Sequence, residues 1–206
     1  MYVANNPIKL IDLKGDSITF ITENKDLLKK VTILVNDGAG SNVAKIGKDG
    51  ILSIKNLSDK QYSKLTNEQK EFYDIMKDAS NSAGMATIGV VSGSEDVLIG
   101  SWNLEKIDIA DMDAIGEGIG MNKYSTFIHE IVEQNYKQTN ESSSYSVGHF
   151  LKAIPAEQKV SGYLRGTEYS KSGGVLVFPY TKVGNGTINV HLKVNRENIT
   201  SIERKK

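Results

Sequence analysis

Short apolar runs rich in β-branched residues occur in the first half of the chain and are typical of β-strands. Residues 17–21, 30–35 and 50–55 form three such runs, bounded by Gly, Asn and Asp, and we predict a strand at each. Two further apolar runs, 85–91 and 97–102, flank a short polar segment. That spacing predicts a hairpin.

Three segments show the apolar spacing of amphipathic helices. The first begins where Thr66 and Gln69 have the spacing of a capping box. The second covers residues 124–137, in which apolar side chains recur at i, i+3 and i+4. The third covers residues 145–153 and is expected to kink or end at Pro155, because proline lacks the amide donor that a helix interior needs.

The rest of the chain is predicted to form loops and strands. Residues 103–122 are rich in Asp and Gly and predict a loop. Strands are expected at 162–165, 174–180 and 187–194, with a Gly-Asn-Gly turn at 184–186 between the last two. The whole pattern predicts an α+β fold with a mixed or antiparallel sheet, about three helices and C-terminal β-hairpins.

Length and composition narrow the class of protein. The 206 residues suffice for one domain with a hydrophobic core, and neither an internal repeat nor a linker is visible. Lys and Arg together number 25, as do Asp and Glu, so no net positive charge favours nucleic acid as a partner. No apolar run approaches the roughly 20 residues that span a bilayer, so no membrane span is expected.

The chain contains no cysteine, which excludes disulfides, cysteine nucleophiles and Cys-ligated zinc. A metal ion would therefore bind to His, Asp or Glu. Of the three histidines, His191 lies on a predicted strand, where a surface or edge position is expected. The carboxylates of residues 108–113 are expected in a solvated turn, and residues 203–206 in a frayed terminus.

The sequence His129-Glu130-Ile131-Val132-Glu133 holds the main candidates for catalysis. Positions i and i+4 share one face of a helix, so the side chains of His129 and Glu133 could chelate one ion. Glu130 could then contact a water molecule at the metal. The common metalloprotease motif, His-Glu-x-x-His, has a second histidine where this chain has Glu133.

His149 is the candidate for the missing ligand, because it begins the next helical pattern and a short loop could bring the two helices together. Glu157 lies eight residues further on, and we interpret it as a further ligand or as a partner that holds an imidazole. The alternative is structural: His129 bonds to a backbone carbonyl, and Glu130 and Glu133 are solvated.

Residues 1–15 resemble the end of the RHS-repeat core, whose closing motif is close to Tyr-x-x-x-Asn-Pro-x-x-x-x-Asp-Pro-x-Gly. Tyr2, the pair Asn6-Pro7, Asp12 and Gly15 match it, whereas Leu13 stands where the family usually has proline. The resemblance implies that residues 16–206 are a variable C-terminal toxin domain of a bacterial polymorphic toxin. It also implies an RHS core shell and a cognate immunity protein as partners, and export as part of a larger protein, since residues 1–7 lack the features of a signal peptide.

Residues 97–130 also resemble metallopeptidase-like toxin domains, with a strand at 97–101, a loop and a helix that opens with Phe127-Ile128-His129-Glu130. The resemblance implies that His129 is a metal ligand and Glu130 a general base. The expected function is a Zn²⁺-dependent hydrolase that acts on a protein or peptide. The alternative is a non-enzymatic module that binds a target or immunity protein and keeps a degenerate metalloprotease helix. A metal-dependent nuclease is disfavoured by the neutral charge.

Overall fold

A four-stranded mixed sheet and a five-stranded antiparallel sheet contribute to one hydrophobic core in the computed structural model, which describes residues 16–206. The proposed RHS motif, residues 1–15, lies outside the described residues. The strands are β1 (Asp16–Ile21), β2 (Ala44–Ile46), β3 (Leu52–Ile54), β4 (Gly84–Val91), β5 (Gly100–Ser101), β6 (Lys106–Asp108), β7 (Leu164–Arg165), β8 (Tyr169–Lys171), β9 (Val175–Lys182), β10 (Gly186–Asn195) and β11 (Asn198–Lys205). The helices are α1 (Lys25–Gly38), α2 (Asp59–Tyr62), α3 (Asn67–Ser80), α4 (Ile109–Ile115), α5 (Lys123–Thr139) and α6 (Ile154–Ser161), and a π-helical segment, Val147–Ala153, precedes α6.

The predicted α+β class and mixed sheet are confirmed, although the described residues form six α-helices where about three were expected. In the mixed sheet, β1 pairs in parallel with β4 and β4 in parallel with β6. The expected hairpin of residues 85–91 with 97–102 is wrong, because β6 lies between β4 and β5. The carboxylate of Asp108, at the end of β6, accepts the amides of Gly93 and Ser94, at 3.0 and 2.7 Å, and so bonds to the chain that leaves β4.

Residues 30–35 form part of helix α1 instead of the predicted strand. The buried side chains of α1 recur at helical spacing and face the core, so tertiary packing outweighs the strand preference of β-branched residues. Asn24 accepts the amide of Asp26 and caps the first turn. The buried residues are Leu27, Val31, Leu34, Val35 and Gly38.

The expected loop at 103–122 contains β6 and α4. Of the three carboxylates predicted to be solvated in residues 108–113, Asp113 is exposed, whereas Asp108 and Asp111 are buried. Asp108 is fully buried and caps α4 by accepting the amides of Ala110 and Asp111. Asp111 is 2% exposed and accepts the amides of Ile99 and Ile199, at 2.9 and 2.8 Å. These carboxylates bond to backbone donors that burial would otherwise leave unpaired.

Helices α3 and α5 form as predicted, including the capping box of Thr66 and Gln69. Pro155 does not end the third predicted helix, which continues to Ser161. The helix changes from π to α hydrogen bonding just before the proline, where the amide of Ile154 bonds to the carbonyl of His149, five residues back. π-Helical turns inside helices are frequent at functional sites.

The second sheet has the strand order β11-β10-β9-β7, with β8 also paired to β9. Residues 203–205 belong to β11 and are not frayed, since the guanidinium of Arg204 donates to the carbonyls of Ile115, Ile119 and Met121. His191 is half-buried on β10, which has a strand on each side and is therefore not an edge. None of the helices of residues 16–206 is long and apolar enough to cross a membrane.

Candidate metal centre

The structure brings His129, Glu133 and His149 together in one buried group. His129 and Glu133 lie one turn apart on α5, and His149 lies on the π-helical segment that packs along α5. Each residue offers one ligand atom, and these three atoms lie within 4.8 Å of one another. The convergence expected from the sequence is present, and the group could hold a metal ion.

Two distances within this group are close to those around a small tetrahedral ion, and a third is longer. The Nε2 atom of His129 lies 3.1 Å from Nδ1 of His149 and 3.3 Å from Oε2 of Glu133, whereas Nδ1 of His149 lies 3.7 Å from Oε1 of Glu133. Four ligands about 2.0–2.1 Å from a tetrahedral ion would stand roughly 3.3–3.4 Å apart. Oε1 of Glu133 is buried and, within residues 16–206, has no hydrogen-bond partner. A buried carboxylate oxygen without a partner is costly in the protein alone, and a cation would offset that cost.

Glu157 bonds to the opposite side of the His129 ring and lies outside the group of three. Its Oε2 atom is 2.8 Å from Nδ1 of His129, so it accepts from the nitrogen that faces away from the metal position. Arg165 donates to the same oxygen at 2.8 Å, and the hydroxyl of Tyr180 donates to Oε1. A carboxylate in this position fixes the tautomer and the orientation of a ligating imidazole.

Burial and neighbouring charges shift the pKa of each group in the cluster. Burial alone would lower the pKa of His129, but its bonds to Glu133 and Glu157 outweigh burial and raise that pKa to about 9. Burial alone would raise the pKa of Glu157, but the charge of Arg165 and the bond to His129 lower it to about 2. Burial would also raise the pKa of Glu133, but the rings of His129 and His149 outweigh burial and lower it. The cluster thus favours ionised carboxylates beside cationic partners.

Glu130 differs from the other two carboxylates. Burial is the main cause that raises its pKa to about 7, and the nearby charges of Glu133 and Glu157 add to the shift. Its carboxylate packs against the backbone of Gly100, where a Cβ atom would stand 1.8 Å from Oε2 of Glu130. Glu130 therefore depends on glycine at position 100, and its pKa suits a group that exchanges protons near neutral pH.

A cavity of about 280 Å³ opens onto this cluster and includes His129, Glu130, Glu133 and His149 in its lining. Its other walls come from strand β5, the preceding turn and the second sheet. Ile99 in that turn has φ +63°, which is a strained conformation for a β-branched residue. The bonds from Asp108 and Asp111 hold this turn in place.

Sequence reasoning missed several residues that shape the site. Arg165 and Tyr180 come from strands far along the chain, and nothing in their local sequence indicates that both bond to Glu157. Tyr145 stacks on the ring of His149 with centroids 5.0 Å apart, whereas the sequence predicts only that a helix starts there. The Gly at position 100 carries no chemical signal of its own.

No protein-family model, no curated protein and no solved structure matches this chain.

Proposed function

We propose that the protein is a zinc-dependent hydrolase that cleaves peptide bonds. The observation that carries the proposal is the buried group of His129, Glu133 and His149, with a further carboxylate, Glu130, lining the same cavity. Two imidazoles and one carboxylate are a ligand set found in catalytic zinc sites, which keep a fourth position open. The cavity of about 280 Å³ on this group provides room for water and a substrate.

Each residue has a distinct part in the proposed reaction. His129, Glu133 and His149 would hold the ion, which when bound polarises a substrate carbonyl and lowers the pKa of water. Glu130 accepts a proton from the attacking water and returns it to the leaving amine as the peptide bond breaks. Glu157 bonds to Nδ1 of His129 and so leaves Nε2 of that ring as the atom that would hold the ion.

The biological setting is a proposal that rests on the sequence of residues 1–15. Their resemblance to the end of the RHS core supports a bacterial polymorphic toxin that is exported inside a larger shell. A cognate immunity protein would then protect the producing cell. The substrate would be a protein or peptide of the target cell.

The experiment that tests the hydrolase is the Glu130→Gln variant, because glutamine keeps the shape of the side chain but cannot accept the proton. Purified, zinc-loaded protein is incubated with a peptide library, and cleavage is followed by mass spectrometry. We expect at least about a 100-fold loss of cleavage with unchanged zinc content. Glu141→Gln, the same change at an exposed residue, should retain full activity.

Two results would contradict parts of this proposal. Full activity of Glu130→Gln would contradict the role of Glu130 as the base but leave the hydrolase intact. A wild-type protein that binds zinc, cleaves no peptide and still binds a target protein would instead support the non-enzymatic module.

A further inference from the structure

A second, larger cavity of about 510 Å³ lies beside the metal centre, and we call it the flanking pocket. One wall is formed by the π-helical segment and the start of α6, and the other by the end of β7 and the residues that link β7 to β8. The residues specific to its lining are Phe150, Ile154, Gly166 and Thr167. The volume is in the range of pockets that enclose small ligands.

The flanking pocket adjoins the first cavity, because Tyr145, His149, Arg165 and Glu168 line both. The imidazole of His149 stands at the junction. Its Nδ1 atom faces the metal position, 3.1 Å from Nε2 of His129. Its ring also contacts Phe150 edge-on, with centroids 4.8 Å apart. A peptide bound at the metal position would therefore have an adjacent side chain within reach of the flanking pocket.

Among the described residues, the one cation that lines the flanking pocket, Arg165, is already bonded. Arg165 donates to Glu157 at 2.8 Å and to Glu168 at 2.6 Å, so its guanidinium is not free for an anionic ligand. Glu168 is bonded to this guanidinium and is 56% exposed, so both Arg165 and solvent stabilise its charge. A charged ligand would have to break the ion pairs of Arg165, which costs free energy, whereas a neutral ligand would leave them intact.

Two aromatic rings are exposed at this pocket although they are large and apolar. Phe150 is 58% exposed and Tyr145 is 48% exposed. Rings in such positions provide a surface for apolar partners, and aromatic pairs gain free energy beyond that of the buried area.

We propose that the flanking pocket binds an aromatic or large aliphatic, uncharged side chain next to the scissile bond. The inference deepens the proposed function, since it assumes that a peptide is cleaved at the metal centre. It makes Phe150 a residue that determines specificity and assigns apolar peptides as the substrate class.

Binding can be measured without catalysis. Zinc-loaded protein is titrated with N-acetylphenylalaninamide, N-acetyllysinamide, N-acetylaspartamide and N-acetylglycinamide, and binding is followed by NMR. We expect the phenylalanine amide to bind best and to shift the resonances of Phe150 and Thr167. Phe150→Ala should weaken its binding by about tenfold, as the loss of one aromatic contact predicts. Leu151→Ala removes a neighbouring side chain that is 66% exposed and lines no part of this pocket, and it should have no effect.

The same variants are then tested on the peptide library. Cleavage next to aromatic or large aliphatic residues, lost in Phe150→Ala and kept in Leu151→Ala, supports both proposals. Cleavage without side-chain preference, or equal binding of all four amides, overturns the flanking pocket but leaves the hydrolase intact. Selective binding of the phenylalanine amide with no cleavage of any peptide supports the pocket and contradicts the hydrolase.

Discussion

The carboxylate of Glu130 and the backbone of Gly100 are in contact, with no space for a side chain between strand β5 and helix α5. The φ angle of Gly100 is not positive, so alanine at this position adds a methyl group without straining the backbone. We expect Gly100→Ala to displace Glu130 and to reduce cleavage by about 100-fold, since small displacements of a catalytic group have effects of this size. Kinetics on a cleaved peptide would check this, with zinc content unchanged as the control. Activity equal to wild type would show that the position of Glu130 is not critical.

Glu157 should affect zinc affinity without touching the ion. The Glu157→Gln variant weakens the bond to Nδ1 of His129, and losses of such partners reduce metal affinity by about 10- to 100-fold. Competition with a coloured zinc chelator measures the change. Glu168→Gln is the matched control, because Glu168 also pairs with Arg165 but is 56% exposed and does not contact His129. An equal effect of both variants would contradict a specific role of Glu157.

The metal-free protein should lose stability at both ends of the pH range. The pKa of Glu157 is lowered from 4.5 to about 2, so its contribution is present above pH 4.5 and lost as the pH falls towards 2. The pKa of His129 is raised from 6.5 to about 9, so its contribution is present below pH 6.5 and lost as the pH rises through 9. The pair therefore stabilises the fold most between pH 4.5 and 6.5.

Urea unfolding of the chelator-treated protein across this range measures that dependence. In Glu157→Gln, the free energy of unfolding should depend less on pH at both the acidic and the basic end. The variant removes both the titrating carboxylate and the main anionic partner of Nδ1 of His129. If the stability difference between wild type and variant is the same at every pH, this pair does not titrate as described.

Asp111 should be important for stability rather than for catalysis. Asp111→Ala leaves the buried amides of Ile99 and Ile199 without their acceptor, and we expect a loss of roughly 2–4 kcal/mol in the free energy of unfolding. Asp113→Ala, on the same helix but half exposed, should change stability by less than about 0.5 kcal/mol. Chemical denaturation of the two variants would show the difference. Similar losses in both would mean that the buried bonds of Asp111 contribute little.

The sequence predicted the part of the site that depends on local spacing. His129 and Glu133 are one helical turn apart, and that relationship can be read from their positions alone. His149 could be predicted because a short polar loop separates its helical segment from α5. The fold class followed from apolar periodicity in the same way, whereas the strand predicted at 30–35 failed because burial on one helical face outweighed β-propensity.

The rest of the site depends on contacts between residues distant in the chain. Tyr180 lies 23 residues after Glu157 and Gly100 lies 30 residues before Glu130, and no local pattern pairs them. Asp108 was expected in solvent because its burial depends on β6, a strand of three residues with little periodic signal. Such relationships are fixed by tertiary packing.

The zinc content of the purified protein is the most direct test of the metal centre. After purification with zinc present, elemental analysis should find about one zinc ion per chain, and His149→Ala should lose it. The control is His191→Ala, which removes the third histidine, on β10 of the antiparallel sheet, and should keep the ion. No zinc in the wild-type protein, or full zinc content in His149→Ala, would contradict the assignment of His129, Glu133 and His149 as ligands.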